Sequence, residues 1–220
     1  LKRKSLKHTH ARTIEMVPEN LPFKIILGSS SKSRKEILAE MGYEFTIMTA
    51  DIDEKGIRRE KPEDLVMALA EAKADAIIQK LLAGEKSLKE DSLATLLITA
   101  DTVVVYQGTI REKPTSKEQA REYIKGYSGG NAAVVGSVLI TNLKTGKRCG
   151  GWESAEVYFL EIPDEVIDAV IDEGVTFNVA GGLMLEHPLT LPFVDAVVGS
   201  TDTVMGLSKA LTEQLLLEAL

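Results

Sequence analysis

The stretch Leu96–Pro114, LLITADTVVVYQGTIREKP, decides how the chain is read. It opens as an apolar β-strand, Leu96-Leu97-Ile98 and then Val103-Val104-Val105, with a carboxylate, Asp101, and Thr102 set into its middle. An uncompensated charge inside an apolar strand costs several kcal/mol, roughly. Gln107-Gly108 predicts a hairpin. The returning segment ends in Arg111-Glu112-Lys113-Pro114, which brings cations back towards the acid. Two readings stay open at this point: a structural ion pair, or a place for chemistry on an anion.

Upstream, Phe23–Leu27 (FKIIL) reads as a short buried strand. Gly28-Ser29-Ser30-Ser31-Lys32-Ser33-Arg34 follows, then a helix with Ile37, Leu38 and Met41 on one face, a Ser33/Glu36 capping-box spacing and Gly42 as its stop. A strand, a Gly/Ser loop and a helix start form an anion-binding arrangement, because loop amides and hydroxyls donate to phosphate oxygens. It lacks the Gly-Lys-Ser/Thr ending of a Walker A loop, and an ordinary capped turn is the plain alternative.

Glu44–Thr49 is expected as a second strand, leading to Asp51-Ile52-Asp53-Glu54. An EF-hand loop starting at Asp51 would put Lys55 at a ligand position and Pro62 at its end, so that reading fails. An aspartyl-phosphate nucleophile at Asp51 or Asp53 and a solvated acidic turn both remain open. Residues 62–82 form the clearest helix, with Pro62 at its start and Gly84 after its end. Lys73 interrupts its apolar row of Leu65, Leu69 and Ile77, so it either snorkels to the surface or points a cation into a cleft.

Downstream, a helix is expected over 116–125 with Thr115 or Ser116 as cap. A strand pair is expected over 132–143 and 151–160, joined by a turn at Lys144–Lys147. Trp152 is expected in the core. A helix over 163–173, a flexible turn at Asn178–Gly182, a strand over 194–198 and a last helix over 208–217 complete the order. Hairpins mixed with helical crossovers give an α/β fold: a mixed sheet flanked by helices.

The chain has 220 residues, enough for one large domain. A net charge of −7 argues against a protein that coats nucleic acid. No apolar run is long enough for a membrane span. Cys149 is the only cysteine, so no intrachain disulfide is possible, and His8, His10 and His187 are the only histidines. Residues 1–22, with Lys2, Arg3, Lys4, Lys7 and Arg12, read as a flexible basic arm or a leader remnant preceding a single domain over 23–220.

Several of these pieces fall into one order: Ser29-Ser-Ser-Lys-Ser-Arg34, Asp51-Ile-Asp-Glu54, Glu71-Ala-Lys73, Ala100-Asp-Thr-Val103, Glu112-Lys-Pro114, Tyr127-Ser-Gly129 and Ala180-Gly-Gly182. In this order they resemble the Maf family of nucleoside triphosphate pyrophosphatases, from about Lys24 to the C-terminus. The resemblance implies an elongated α/β fold with two lobes around a central cleft, often a homodimer. It also implies hydrolysis of a nucleoside triphosphate to a monophosphate and pyrophosphate with Mg²⁺ or Mn²⁺, and a cytoplasmic pool-sanitising role without nucleic-acid or membrane partners.

By the same resemblance, Asp101, Glu54, Lys73 and Lys113 are the catalytic set, with Glu54 and Asp101 holding the metal. Ser29, Ser31, Lys32, Ser33 and Arg34 bind the triphosphate, and Thr102 and Glu186 face the base. Three departures stand out. Lys32 and Ser33 replace the Pro-Arg of the family loop, Thr102 resembles the dTTP/UTP branch, and Glu186 resembles the 7-methyl-GTP branch. A nucleotide-sensing regulator without turnover, and a phosphomonoesterase using Asp51 or Asp53, are the competing functions.

Overall fold

Strand β3 (Ala94–Tyr106) is the axis of the molecule, and the computed structural model describes residues 22–84 and 93–220 around it. The expected basic arm and most of the loop after Gly84 lie outside the described residues. On one side β3 pairs antiparallel with β5 (Asn131–Asn142) from Leu96 to Val105. On the other side β1 (Phe23–Leu27) runs parallel to it, but only as far as Ile98. The short β4 (Thr109–Arg111) folds back on that same strand, beginning at Val104. Among the described residues, 99–103 therefore have no strand partner on that side, and Asp101 sits in the middle of the gap.

Among the described residues the sheet has seven strands, in the order β2-β1-β3-β5-β6-β7 with β4 attached to β3. Its parallel part is β1 with β2 (Phe45–Ile47) and β3. Its antiparallel part is the hairpin of β5 with β6 (Arg148–Phe159), followed by β7 (Val194–Val198). Gln107 and Gly108 both have positive φ, 49° and 76°, the primed hairpin turn that the twist of paired strands favours. β2 is shorter than expected, and β6 starts earlier because its pairing with β5 extends to Arg148.

Helix α1 (Lys32–Glu40) is capped by Ser31, two residues ahead of the expected Ser33, so no Ser33/Glu36 capping box forms. Helix α2 (Pro62–Ala83) has Pro in its first turn, Glu63 and Asp64 at its positive end and Lys80 at its negative end. It lies on one face of β3 and β5, burying Leu65, Val66, Leu69, Ala70, Ala74 and Ile77. Helix α3 (Lys117–Tyr127) takes Ser116 as its cap, which settles that choice. Helix α4 (Asp164–Asp172) runs against it, with Lys117, Arg121 and Lys125 facing Asp172, Asp168 and Asp164. Helices α5 (Thr201–Met205) and α6 (Lys209–Ala219) close the chain. The short α5 carries no periodic pattern and was not expected.

The alternation of β3 divides the core. Leu96, Ile98 and Ala100 join Ile37, Leu38, Leu215 and Leu216 at one end, while Val104 joins Ile124, Tyr127, Phe159 and Ile167 at the other. The opposite face packs Leu97 and Val103 under α2. Trp152 corrects the expectation of a core position, being 49% exposed. It shares a face with its partner Ser137, on the side where α2 packs most heavily on β3 and β5.

Gly28 is where β1 stops and the Gly/Ser loop begins. A Cβ there would stand 2.6 Å from Thr99 Cγ2, 2.8 Å from Ile77 Cδ1 and 3.0 Å from the Ile98 carbonyl oxygen. Gly28→Ala should therefore lower unfolding stability by about 1–3 kcal/mol, the usual cost of overpacking. Urea unfolding measures it, and an unchanged midpoint would contradict this packing.

Candidate active site

The break beside β3 explains how neighbouring residues of opposite facing reach one cavity. Asp101 and Thr102 point to opposite sides of the sheet, as successive strand residues must. Both line the same cleft because no strand closes the edge between them.

On the α2 side, Lys73 resolves its ambiguity by pointing inward. Its ammonium donates to Asp101 Oδ1 at 2.5 Å and lies 3.0 Å from Glu54 Oε1. The Lys73 and Asp101 side chains are only 12% and 11% exposed, against 45% for Glu54. Two buried hydroxyls seat the helix that carries Lys73. Thr99 Oγ1 donates to the Ala70 carbonyl and Ser137 Oγ to the Val66 carbonyl, both at 2.8 Å. Glu54 comes from a single 3-10 turn, Glu54–Gly56. Burial alone would push its carboxyl up. Lys73, with Lys113 and Arg34 further off, wins and holds it below the usual glutamate range.

On the other side of the gap, Arg34 reaches across from α1. Its guanidinium donates to the Gly206 carbonyl at 2.8 Å, to Thr102 Oγ1 at 3.0 Å and to Ser29 Oγ at 3.3 Å. Burial lowers its pKa, opposed by the attraction of Asp101 and Glu54. Ser29 Oγ also accepts from the Ser31 amide, and the Ser31 and Ser33 hydroxyls lie 3.1 Å apart. Ser31, Ser33 and Arg34 line the cleft, as do Lys113 and Glu186. Two of the loop residues expected to bind the triphosphate do not. Ser29 is buried behind Arg34, and Lys32 extends into solvent beside Glu36, 88% exposed. Asp51 and Asp53 also lie outside the cleft lining.

The cleft has further walls, some of them in segments that no sequence motif marked. Lys55 and Glu112 add charge at the polar part, and Arg58 pairs with Glu112 at 3.1 Å. Leu183, Met184 and Leu185 form an apolar wall ahead of Glu186, and Val204, Met205 and Gly206 form another. The Asn178–Gly182 turn, expected to approach a ligand, lines the cleft through Asn178, Val179 and Ala180. Charged groups suited to an anion thus adjoin apolar surface suited to a ring.

The chain matches the Maf-like protein family over residues 24–219. It belongs to that family. Among curated relatives, the 7-methyl-GTP pyrophosphatase of Dictyostelium discoideum is 40% identical over 192 residues, 87% of this chain and 95% of the relative. A nucleoside triphosphate pyrophosphatase of Salinispora tropica is 27% identical over 90% of this chain and 85% of the relative. A dTTP/UTP pyrophosphatase of Alkaliphilus metalliredigens is 30% identical over 84% of this chain and 90% of the relative.

In this Maf-like protein the Lys73–Asp101 pair is buried enough for its loss to be felt in folding. Lys73→Met strands a carboxylate and should destabilise by about 3–5 kcal/mol. Adding Asp101→Asn should recover part of that loss. A double-mutant cycle by chemical denaturation measures the coupling, and strict additivity would show that the two side chains do not interact.

Proposed function

We propose that the protein hydrolyses a nucleoside triphosphate to its monophosphate and pyrophosphate. The observation that carries the reading is the Lys73 ammonium held between Asp101 and Glu54 inside a cleft that also receives Ser31, Ser33, Arg34 and Lys113. Loop amides and hydroxyls bind the triphosphate oxygens. Lys73 and Lys113 neutralise the charge that grows on the departing pyrophosphate, the electrostatic contribution that dominates phosphoryl chemistry. Asp101 orients a water molecule and takes its proton as the oxygen attacks the α-phosphorus. The bond from that phosphorus to the bridging oxygen breaks, and pyrophosphate leaves.

A magnesium or manganese ion fits the donor set. The Glu54 and Asp101 carboxylates already converge on one cation, Lys73, so they stand within reach of a single ion. No cluster of three or more acidic, histidine or cysteine ligands exists among the described residues. Substrate phosphate oxygens and water would complete the shell, the usual arrangement for magnesium. Such an ion would supply charge neutralisation at the phosphates.

For the base, the reading is 7-methyl-GTP. Glu186 accepts hydrogen bonds and favours a ring with amino donors and positive charge, while Leu183–Leu185 supply apolar contact. The hydroxyl of Thr102 is already engaged by Arg34. The most similar relative named here is a 7-methyl-GTP pyrophosphatase, which supports the same choice. A cytoplasmic homodimer belongs to this reading too. Trp152, Tyr158 and Val198 are exposed on one face of β6 and the edge strand β7, with Ser154 and Glu156 between them, a mixed surface that a second copy would cover. No helix among the described residues is long and apolar enough to cross a membrane.

Asp101→Asn should retain the fold and lose about a hundred- to ten-thousand-fold in rate, the usual worth of a general base. Normal turnover by that variant would remove Asp101 from the role. Glu186→Gln should narrow the preference for 7-methyl-GTP over UTP in kcat/KM, and an unchanged ratio would contradict the base assignment. Because Glu54 is held below its ordinary range, the wild-type acid limb arising from its protonation should lie on the acid side of the usual glutamate range. A pH–rate profile compared with Glu54→Gln reads this directly.

A further inference from the structure

The apolar wall beside Glu186 has little regular structure of its own. It follows two single 3-10 turns, Val175–Asn178 and Ala180–Gly182; the Thr190 hydroxyl holds its Met184 carbonyl at 2.8 Å on the far side, and Gly181 is its anchor on the near side. The Gly181 amide donates to the Glu112 carbonyl at 2.9 Å, and its own carbonyl accepts from the Tyr127 hydroxyl at 2.9 Å. Its φ is +61°, and a Cβ there would stand 2.6 Å from Val104 Cβ and 2.8 Å from the Tyr127 hydroxyl. The backbone is thus drawn closer to β3 than a side chain would allow.

Tyr127 is itself immobilised. It is fully buried, stacked on Phe159 at 6.1 Å between centroids and edge-on to Tyr106 at 5.5 Å. The Arg111 guanidinium lies 5.1 Å from its ring centre, 4.2 Å from that of Tyr106 and 4.5 Å from that of Tyr123, and donates to the Tyr123 carbonyl at 3.0 Å. Burial pushes the Tyr127 phenol up to about 12, against the pull of Arg111. Its hydroxyl therefore remains a donor throughout the neutral range. Tyr127 does not line the cleft.

We propose that Tyr127 is a positioning residue for the nucleotide base: by holding the Gly181 carbonyl, its hydroxyl sets where Leu183–Glu186 stand relative to the Lys73–Asp101 centre. The inference rests on the pyrophosphatase reading for its substrate, but the anchor itself is a property of the fold. A merely structural Tyr127 would affect unfolding alone. A positioning Tyr127 separates base from phosphate.

The test is Tyr127→Phe, which keeps the ring and its packing. KM for 7-methyl-GTP should rise about two- to tenfold, the worth of one hydrogen bond, with kcat unchanged. Inhibition by inorganic tripolyphosphate, which has no base, should stay at its wild-type strength. Hydrogen–deuterium exchange over 181–185 should quicken while exchange in β3 and β5 does not. Gly181→Ala should shift KM and loop exchange in the same direction. Unchanged KM with unchanged exchange at 181–185 in Tyr127→Phe overturns the proposal, as does an equal weakening of tripolyphosphate. If the wild type released no pyrophosphate from any nucleotide, the functional reading would fall, and the exchange comparison would still decide the anchor.

Discussion

One ammonium held between two carboxylates sets the terms for the rest of the structure. Asp101 offsets much of the burial of Lys73 in an apolar helix face, with Glu54 as its second partner, and Lys73 offsets the burial of Asp101 in the middle of β3. Each charge compensates the burial of the other. Glu54, more exposed, leaves this trio with one negative charge over, which faces the Lys113 and Arg34 cations. Such a centre suits a metal-bound phosphate better than a closed ion pair would.

The break in strand pairing makes this centre accessible. Where β1 ends and β4 has not begun, β3 shows an edge, and both its faces open into the same cleft. Arg34 then ties the two ends of the chain together at that edge, joining Ser29, Thr102 and the Gly206 carbonyl. Residues of distant sequence position, some on strands and helices and some in irregular segments such as Leu183–Glu186, become walls of one cavity. The ring-stacked Arg111 does similar work at the far end of β3, where Tyr127 and Gly181 meet.

Much of this was legible in the sequence, wherever the signal is local. The valine-rich β3 and the long α2 announce themselves by period and by Pro and Gly at their limits, and the hairpin at Gln107-Gly108 by turn chemistry. Asp101, Lys113 and Glu54 stood out as charges at strand or turn positions. Other features depend on packing that no local pattern carries. The direction of Lys73 is fixed by β3, not by α2. Lys32 and Ser33 are adjacent, yet the start of α1 turns the first outward and the second into the cleft. Trp152 is exposed although it shares a face with the buried Ser137. Gly206 meets Arg34 across 172 residues, and the walls around Met184 and Met205 have only ordinary apolar composition.

The central claim is that water attacks the α-phosphorus from a cleft centred on Asp101. The most direct measurement is hydrolysis of 7-methyl-GTP in water enriched in heavy oxygen, with mass analysis of both products. The account predicts the label in the nucleoside monophosphate and none in the pyrophosphate. Label in pyrophosphate, or release of labelled orthophosphate, would contradict it.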